Sequence, residues 1–260
     1  MDLGLNGKIA LITGGTSGIG LAIAQKLAAE GCRVAICGRD KGKLDAAVAS
    51  LGAPEAKRFV ADICREDDVA SLVENVTKAF GGIDIVVSNA GTHLPGRLEE
   101  VASERLLRHF QTKILGPWEL ARRVTPVMVA RGGGRFIVII GQAGKVPQAN
   151  AIASATVNAA QHAFVKSLSD ELAPSNILVN AVCPSRIKSP LTAGLILHNE
   201  AYYGRSLEQQ ETKWGVEVPL GHWGTPEDIA NAVAFLASER AAFIVGANID
   251  VDGGHQRMIV

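Results

Sequence analysis

Short apolar runs alternate with longer stretches of helical spacing along most of the chain. The runs are rich in Val and Ile and mostly lack a two-residue alternation, which is typical of strands covered on both faces. The pattern predicts strands at 8–12, 33–37, 58–61, 83–88, 135–140, 177–182 and 248–251. It predicts helices near 18–30, 41–51, 66–80, 98–130, 151–172 and 226–238. Strand–helix alternation with short turns indicates an α/β fold, a doubly wound parallel sheet with helices on both faces.

The segment 190–220 interrupts this rhythm with two tyrosines, a histidine, Trp214 and mixed charge. A long segment late in an α/β fold, after the carboxyl end of a strand, is placed to cover a ligand crevice. We predict a substrate lid there, and an ordinary surface insertion is the alternative. No linker or repeat divides the chain, so we expect residues 1–260 to form a single domain.

Composition removes several classes of function. Lys plus Arg and Asp plus Glu both number 26 in 260 residues, which argues against a nucleic-acid partner. No apolar run approaches the ~18 residues that span a bilayer, and the start of the chain lacks a basic region before an apolar one. The four cysteines show no metal-ligand spacing, so we expect no metal site and reduced thiols in a cytoplasmic protein.

The first predicted strand leads directly into the turn Thr13-Gly14-Gly15-Thr16-Ser17-Gly18-Ile19-Gly20, and a helix follows. Glycines allow a tight turn and a close approach of the backbone to a pyrophosphate. The helix start adds free N–H groups and a positive dipole end. This strand–turn–helix context indicates a single-domain Rossmann-type dinucleotide fold.

Further segments agree with this turn in order and spacing, and together they resemble the short-chain dehydrogenase/reductase family along the whole chain. The matching segments are Asp62 after the third strand, Asp84 and Ser88-Asn89-Ala90-Gly91 at the fourth, Asn180, Pro184, Ile187 and Ser189 near the sixth, and Asp228-Ile229-Ala230, Phe235-Leu236-Ala237-Ser238 and Asp252-Gly253-Gly254 later. The resemblance implies that the cofactor contacts Gly14, Thr16, Ser17, Gly18, Ile19, Gly20, Arg39, Asp62, Ile63, Asn89, Ala90, Gly91, Pro184, Ile187 and Ser189.

The end of the second strand bears on which dinucleotide binds. An NAD site places an acid there for the ribose 2′-hydroxyl, but by alignment to the family Gly38 stands in that place and Arg39 follows. A guanidinium can pair with a 2′-phosphate through two hydrogen bonds. We therefore predict NADP(H); the alternative is NAD(H), selected by Asp40.

The family's catalytic residues, as the resemblance implies, are a tyrosine, a lysine four residues later, a serine and an asparagine. This chain has no Tyr-x-x-x-Lys, and its two tyrosines are Tyr202 and Tyr203 in the predicted lid. Alignment puts the four positions at Ser154, Asn158, Gly141 and Lys113. A serine lacks the acidity of a tyrosine and its reach, so the usual proton donor is missing.

Two side chains are candidates to replace the missing proton donor. His93 lies just beyond Gly91 and has a suitable ordinary pKa, although a plain loop histidine is the alternative. The cation and the amide of the family's Lys and Asn are retained but exchanged, as Lys113 and Asn158. Because Pro117 should bend the helix, Lys113 could reach the nicotinamide ribose or the substrate oxygen and act as the acid. The alternative is that both positions changed by neutral drift in an inactive site, where Lys113 pairs with a carboxylate.

Two functions follow: an oxidoreductase with a rewired site that acts on a carbonyl or an alcohol, or a catalytically silent cofactor binder. The resemblance implies a homo-oligomer, commonly a tetramer, built on the long helices. Phe110, Trp118, Phe164 and Leu168, with an apolar tail at 258–260, are the expected contact residues. The substrate is a small molecule that the sequence does not name, and we expect no membrane partner.

Overall fold

Seven strands form one sheet in the structure, a computed structural model that describes residues 2–198 and 204–257. All seven predicted strands are present, with ends that differ by at most two residues from the prediction. They are β1 (Ile9–Thr13), β2 (Arg33–Gly38), β3 (Lys57–Val60), β4 (Ile85–Ser88), β5 (Gly134–Ile139), β6 (Ile177–Pro184) and β7 (Asn248–Val251).

Every pairing in the sheet is parallel, and the strand order is β3-β2-β1-β4-β5-β6-β7. The order reverses between β1 and β4, and in such sheets ligands bind at the carboxyl ends of the strands beside that reversal. Asp84 joins these strands at their other end, because its carboxylate accepts from the Ile9 N–H at 2.8 Å and from the Arg131 Nε–H at 2.7 Å.

Helices cover both faces of the sheet, as the pattern predicts. Helices α1, α2 and α9 pack against one apolar layer, and α3, α5 and α6 pack against the other. The helices are α1 (Gly18–Ala29), α2 (Lys41–Ser50), α3 (Glu66–Phe80), α4 (Ser103–Phe110), α5 (Gly116–Ala130), α6 (Ile152–Leu172), α7 (Pro190–His198), α8 (Leu207–Glu217) and α9 (Pro226–Ala237). None of them, within the described ranges, is long and apolar enough to cross a membrane.

The single helix predicted over 98–130 is wrong in detail. A 3-10 turn at Leu98–Glu100 precedes α4, and a wide π turn at Gln111–Leu115 separates α4 from α5. Pro117 stands in the first turn of α5, a position of a helix that tolerates a residue without an N–H. Gly116 lies close against β3's following loop, since a Cβ there would stand 2.9 Å from the Ile63 oxygen. The wide turn that contains Lys113 lies directly before Pro117, where the sequence predicted a bend.

The segment predicted as a lid contains helices α7 and α8. Trp214 of α8 packs against Trp223, with ring centres 5.8 Å apart, and Ile196 of α7 joins this small apolar cluster. Tyr202 and Tyr203 lie outside the described residues, as does the tail 258–260. The role of this segment as a lid stays a prediction.

Candidate active site and cofactor cleft

A cleft of about 1300 Å³ opens at the carboxyl ends of the strands, beside the reversal in strand order. Fourteen of the fifteen residues predicted to contact a cofactor line it, and Ile187 does not. The Ile187 side chain is buried and faces Gly224, where an added Cβ would stand 2.6 Å from the Ile187 Cδ1. Of the five candidate catalytic positions, Lys113, Asn158, Gly141 and His93 line the cleft, and Ser154 does not.

The turn between β1 and α1 is fixed by Asn89 and by two glycines that have no room for a side chain. The Asn89 Nδ2 donates to the carbonyl oxygens of Thr13 at 3.0 Å and Gly14 at 3.2 Å. A Cβ on Gly20 would stand 2.3 Å from the Gly14 oxygen and 2.4 Å from the Asn89 Nδ2. The first residues of α1 line the cleft, so the free N–H groups of the helix start lie beside it, an arrangement that suits a phosphate.

Arg39 and Asp40 stand at the mouth of the cleft after β2, and the structure distinguishes them. The Asp40 carboxylate caps α2, where its Oδ1 accepts from the Lys43 N–H at 3.0 Å. Arg39 is exposed and lines the cleft, and the described part of the chain shows no hydrogen bond or ion pair to its guanidinium. The cation is thus available to an incoming anion, whereas the acid is engaged in the fold.

Asp62 follows β3 at the same end of the cleft. Its carboxylate accepts from the Cys64 N–H at 3.0 Å and from the Arg108 Nη2 at 3.0 Å. These hydrogen bonds hold the pKa of Asp62 below its ordinary value against the opposing effect of its burial. The sequence reading missed Arg108, which lines the cleft and carries an additional positive charge there.

Lys113 and Asn158 meet at the other end of the cleft, over β4 to β6. The Lys113 Nζ donates to the Asn158 Oδ1 at 2.7 Å, and the Asn158 Nδ2 donates to the Gly141 carbonyl oxygen at 2.9 Å. Lys113 is only 9% exposed, and burial lowers the pKa of its ammonium from 10.5 to about 8. Among the described residues no carboxylate forms an ion pair with Lys113. The alternative in which a carboxylate neutralises it is therefore not seen.

Ser154 is turned away from the cleft. Its Oγ accepts from the Leu94 N–H at 2.8 Å and lies 3.4 Å from the His109 Nε2, and the residue is 1% exposed. The hydroxyl also donates to the Leu94 carbonyl oxygen at 3.2 Å, so it secures the loop after β4. The expectation of Ser154 as a catalytic group has no support in this geometry.

His93 and His109 lie near Lys113, and both have a strongly lowered pKa. Burial is the larger cause, and the Lys113 charge adds to it, so that the pKa of each falls from 6.5 to about 4. With a pKa of about 4 His93 is mostly neutral at pH 7, which favours the alternative of a plain loop histidine over a protonated acid. The reading also missed His109, although its spacing of four from Lys113 could have indicated a shared helix face.

Comparison with known proteins gives matches along nearly the whole chain. The profile of a family described as enoyl-(acyl carrier protein) reductase matches residues 14–256. A 3-oxoacyl-(acyl-carrier-protein) reductase of Aquifex aeolicus is 35% identical over 263 residues, covering 98% of this chain and 99% of that protein.

Two solved structures are similar in fold and in sequence. An L-sorbose reductase from Gluconobacter frateurii, complexed with NADPH and L-sorbose, is 33% identical with a TM-score of 0.94 and full coverage of both chains. A 3-ketoacyl-(acyl-carrier-protein) reductase from Brucella melitensis, complexed with NADH, is 32% identical with a TM-score of 0.87 and covers 96% of this chain and 99% of that one.

Proposed function

Because this chain belongs to the short-chain dehydrogenase/reductase family, we propose that it is an NADP(H)-binding oxidoreductase that interconverts a carbonyl and an alcohol without the usual tyrosine and lysine. The observation that carries the proposal is the buried, cleft-lining Lys113, held by Asn158 and not neutralised by any described carboxylate. Burying an ammonium group without a counter-charge costs free energy of folding. A site without a function has no reason to retain such a group.

The residues of the cleft fit a nicotinamide dinucleotide. Gly14 and Gly20 keep the floor of the first turn free of side chains, and the N-terminus of α1 can hold the pyrophosphate. Arg39 can hold a 2′-phosphate, because Asp40 is engaged in capping α2 and does not neutralise it. The relatives complexed with NADPH and NADH support this assignment, and Arg39 favours the phosphorylated form.

The cofactor would supply the hydride, and the chain must orient the substrate and provide a proton. Lys113 is suited to the second task, since a pKa of about 8 leaves its ammonium mostly protonated at pH 7 yet close enough to give up a proton. Asn158 orients that ammonium, and the Gly141 carbonyl orients Asn158 in turn. In this proposal the family's lysine and asparagine have exchanged positions, and the direct hydrogen bond between Lys113 and Asn158 supports it.

A catalytically silent cofactor binder is the second candidate, and a specific observation favours it. Ser154, at the family's tyrosine position, is bonded to the Leu94 backbone and does not line the cleft. A site with no side chain for a substrate hydroxyl at either Gly141 or Ser154 suits a sensor or an oligomer partner. A cytoplasmic location and a homo-oligomeric state remain parts of the proposal.

Stopped-flow measurement of NADPH oxidation with a panel of carbonyl compounds tests the proposal. We expect turnover that falls as pH rises through about 8, because the active form of Lys113 is the protonated one. Lys113→Ala should abolish turnover or weaken NADPH binding. Ser154→Ala should retain both and lose only stability, since it leaves the Leu94 N–H unpaired.

Turnover and NADPH affinity that are both unchanged in Lys113→Ala would leave the silent binder as the better reading. A complementary experiment rebuilds the family's site with Ser154→Tyr, Asn158→Lys, Lys113→Asn and Gly141→Ser. We expect this fourfold variant to gain generic carbonyl reduction, because the usual proton donor and its lysine are restored.

A further inference from the structure

The half of the cleft over β4 to β6 is positively charged and contains no acid. Its described lining residues include Lys113 and His93 but neither Asp nor Glu, and both acids of the cleft, Asp40 and Asp62, lie at the β2 and β3 end. Those two carboxylates are also engaged, by the Lys43 N–H and by Arg108. The substrate end therefore holds a cation whose counter-charge the described residues do not supply.

The donors of Lys113 are only partly used. An ammonium group has three N–H donors, and the described residues accept one of them, at the Asn158 Oδ1. The loop after β4 fixes the side chain from above, since a Cβ on Gly91 would stand 3.1 Å from the Lys113 Cε. Gly141 leaves space beside the Asn158 amide, because an added Cβ there would meet only the Asn158 Nδ2, at 3.1 Å. Two donors of a fixed ammonium thus remain for a ligand.

Resting on the proposed function, we propose that the substrate is a 2-oxo acid, or in the reverse direction a 2-hydroxy acid, whose carboxylate and carbonyl oxygens both bind the Lys113 ammonium. These two oxygens stand on adjacent carbons, so they can accept the two remaining donors of one ammonium group. The carboxylate supplies the missing negative charge, and the carbonyl oxygen lies where the proton is needed. A neutral ketone provides the carbonyl oxygen but no carboxylate, so one N–H donor and the positive charge of Lys113 remain without a partner.

The chemistry balances with the cofactor of the proposed function. The carbonyl carbon gains a hydride from the reduced nicotinamide dinucleotide, which is oxidised, and the C=O double bond becomes a C–O single bond. The carbonyl oxygen gains the Lys113 proton, and the resulting amine is protonated again from water. The histidines nearby do not supply charge, since burial and, to a lesser extent, the charge of Lys113 hold the pKa of His93 and His109 at about 4.

Matched pairs of substrates test the proposal, namely pyruvate, 2-oxobutyrate and phenylpyruvate against their methyl esters. Each pair differs in charge and little in shape around the carbonyl. With saturating NADPH we expect kcat/KM for the acids to exceed that for the esters by ~10-fold or more, the usual worth of a charge-assisted hydrogen bond in a site of low polarity. Lys113→Met should lose turnover of acids and esters alike, whereas Lys78→Met, which changes an exposed lysine on α3, should keep both the turnover and the preference.

Binding of oxamate, an unreactive analogue of pyruvate, separates this inference from the proposed function. We expect oxamate to raise the Tm of the NADPH complex of the wild type and of Lys78→Met, but not of Lys113→Met. Reduction of the esters with no preference for the acids would overturn the inference and leave the reductase standing. Oxamate binding that depends on Lys113 without any turnover would support the anion site and contradict the reductase. Neither binding nor turnover would overturn both.

Discussion

Single residues set the chemistry of the cleft through burial and through the choice of partner. Lys113 is a buried cation whose described partner is an amide, so its charge is available to a ligand. Arg39 is exposed at the cleft mouth, while its neighbour Asp40 is engaged by α2. A charged side chain that the fold pairs with its own groups is structural, whereas one left without a counter-charge is available for function.

The availability of Arg39 predicts the choice of dinucleotide. NADPH should bind more tightly than NADH, and Arg39→Ala should lower NADPH affinity ~10-fold or more while leaving NADH affinity nearly unchanged, because only the 2′-phosphate loses a partner. Titration calorimetry at one fixed salt concentration measures both. Equal affinities of the wild type for the two dinucleotides would contradict the assignment.

His109 predicts a loss of stability in acid. Its pKa is about 4 in the fold and about 6.5 in the unfolded chain, so the unfolded state takes up more protons between these values. The stabilising effect is complete above pH 6.5 and is lost as the pH falls towards 4, by ~3 kcal/mol. Urea unfolding across this range should show a flatter pH dependence for His109→Gln than for the wild type. The exposed His222→Gln is the matched control, and an unchanged slope in His109→Gln would contradict the prediction.

At the scale of elements, the cleft is built from short connections that close packing holds in place. The turn from β1 to α1 is held by Asn89 from the end of β4, so neighbouring strands fix one another's loops. The wide turn between α4 and α5 brings Lys113 to Asn158 of α6. The first connection forms the side of the cleft that suits a phosphate, and the second forms the side that suits a substrate.

The turn at Gly20 predicts a site that tolerates no side chain. Gly20→Ala should lower Tm and NADPH affinity, at a cost of ~1–3 kcal/mol, because the new Cβ would overlap the Gly14 oxygen. Thermal melting with and without NADPH measures both effects. Gly194→Ala in α7 is the control, since its Cβ would meet nothing within 4 Å. A Gly20→Ala protein that melts and binds like the wild type would show that the turn can relax.

How much of this could be predicted depends on whether the signal is local. Strands such as β1 and β7 follow from runs of apolar residues, and the first cofactor turn follows from its glycines, because each is encoded by neighbouring residues. The hydrogen bonding of Ser154 could not be predicted from neighbouring residues, because its partner Leu94 lies sixty residues away in the sequence. The lowered pKa of His93 likewise depends on burial and on Lys113, which only the folded chain brings beside it.

At the scale of the molecule, apolar side chains remain exposed on the outer helices. Trp118 of α5 is 58% exposed beside Phe164 of α6, with ring centres 5.9 Å apart, and Leu115 and Phe110 lie exposed on the same stretch of chain. A surface of this kind on a protein in water indicates a contact with another protein surface. The homo-oligomer, whose contact residues the sequence placed on these helices, stays a prediction.

Trp118 therefore predicts the state of assembly. The wild type should form a dimer or tetramer at micromolar concentration, and Trp118→Glu should shift it towards the monomer because a charge would be buried in the contact. Light scattering coupled to size-exclusion chromatography measures the mass. Val60→Glu, on the exposed edge strand β3, should leave the mass unchanged. A monomeric wild type would contradict the prediction.

The wide turn at Gln111–Leu115 also bears on how such a site can arise. A π turn differs from a regular helical turn by one additional residue, and each residue added to a helix rotates everything beyond it by ~100°. Removing one residue from this stretch could restore a regular helix while turning Lys113 away from Asn158. The arrangement is therefore one small deletion away from a straight helix, and a lineage that keeps the site must conserve the length of this segment as strictly as the lysine.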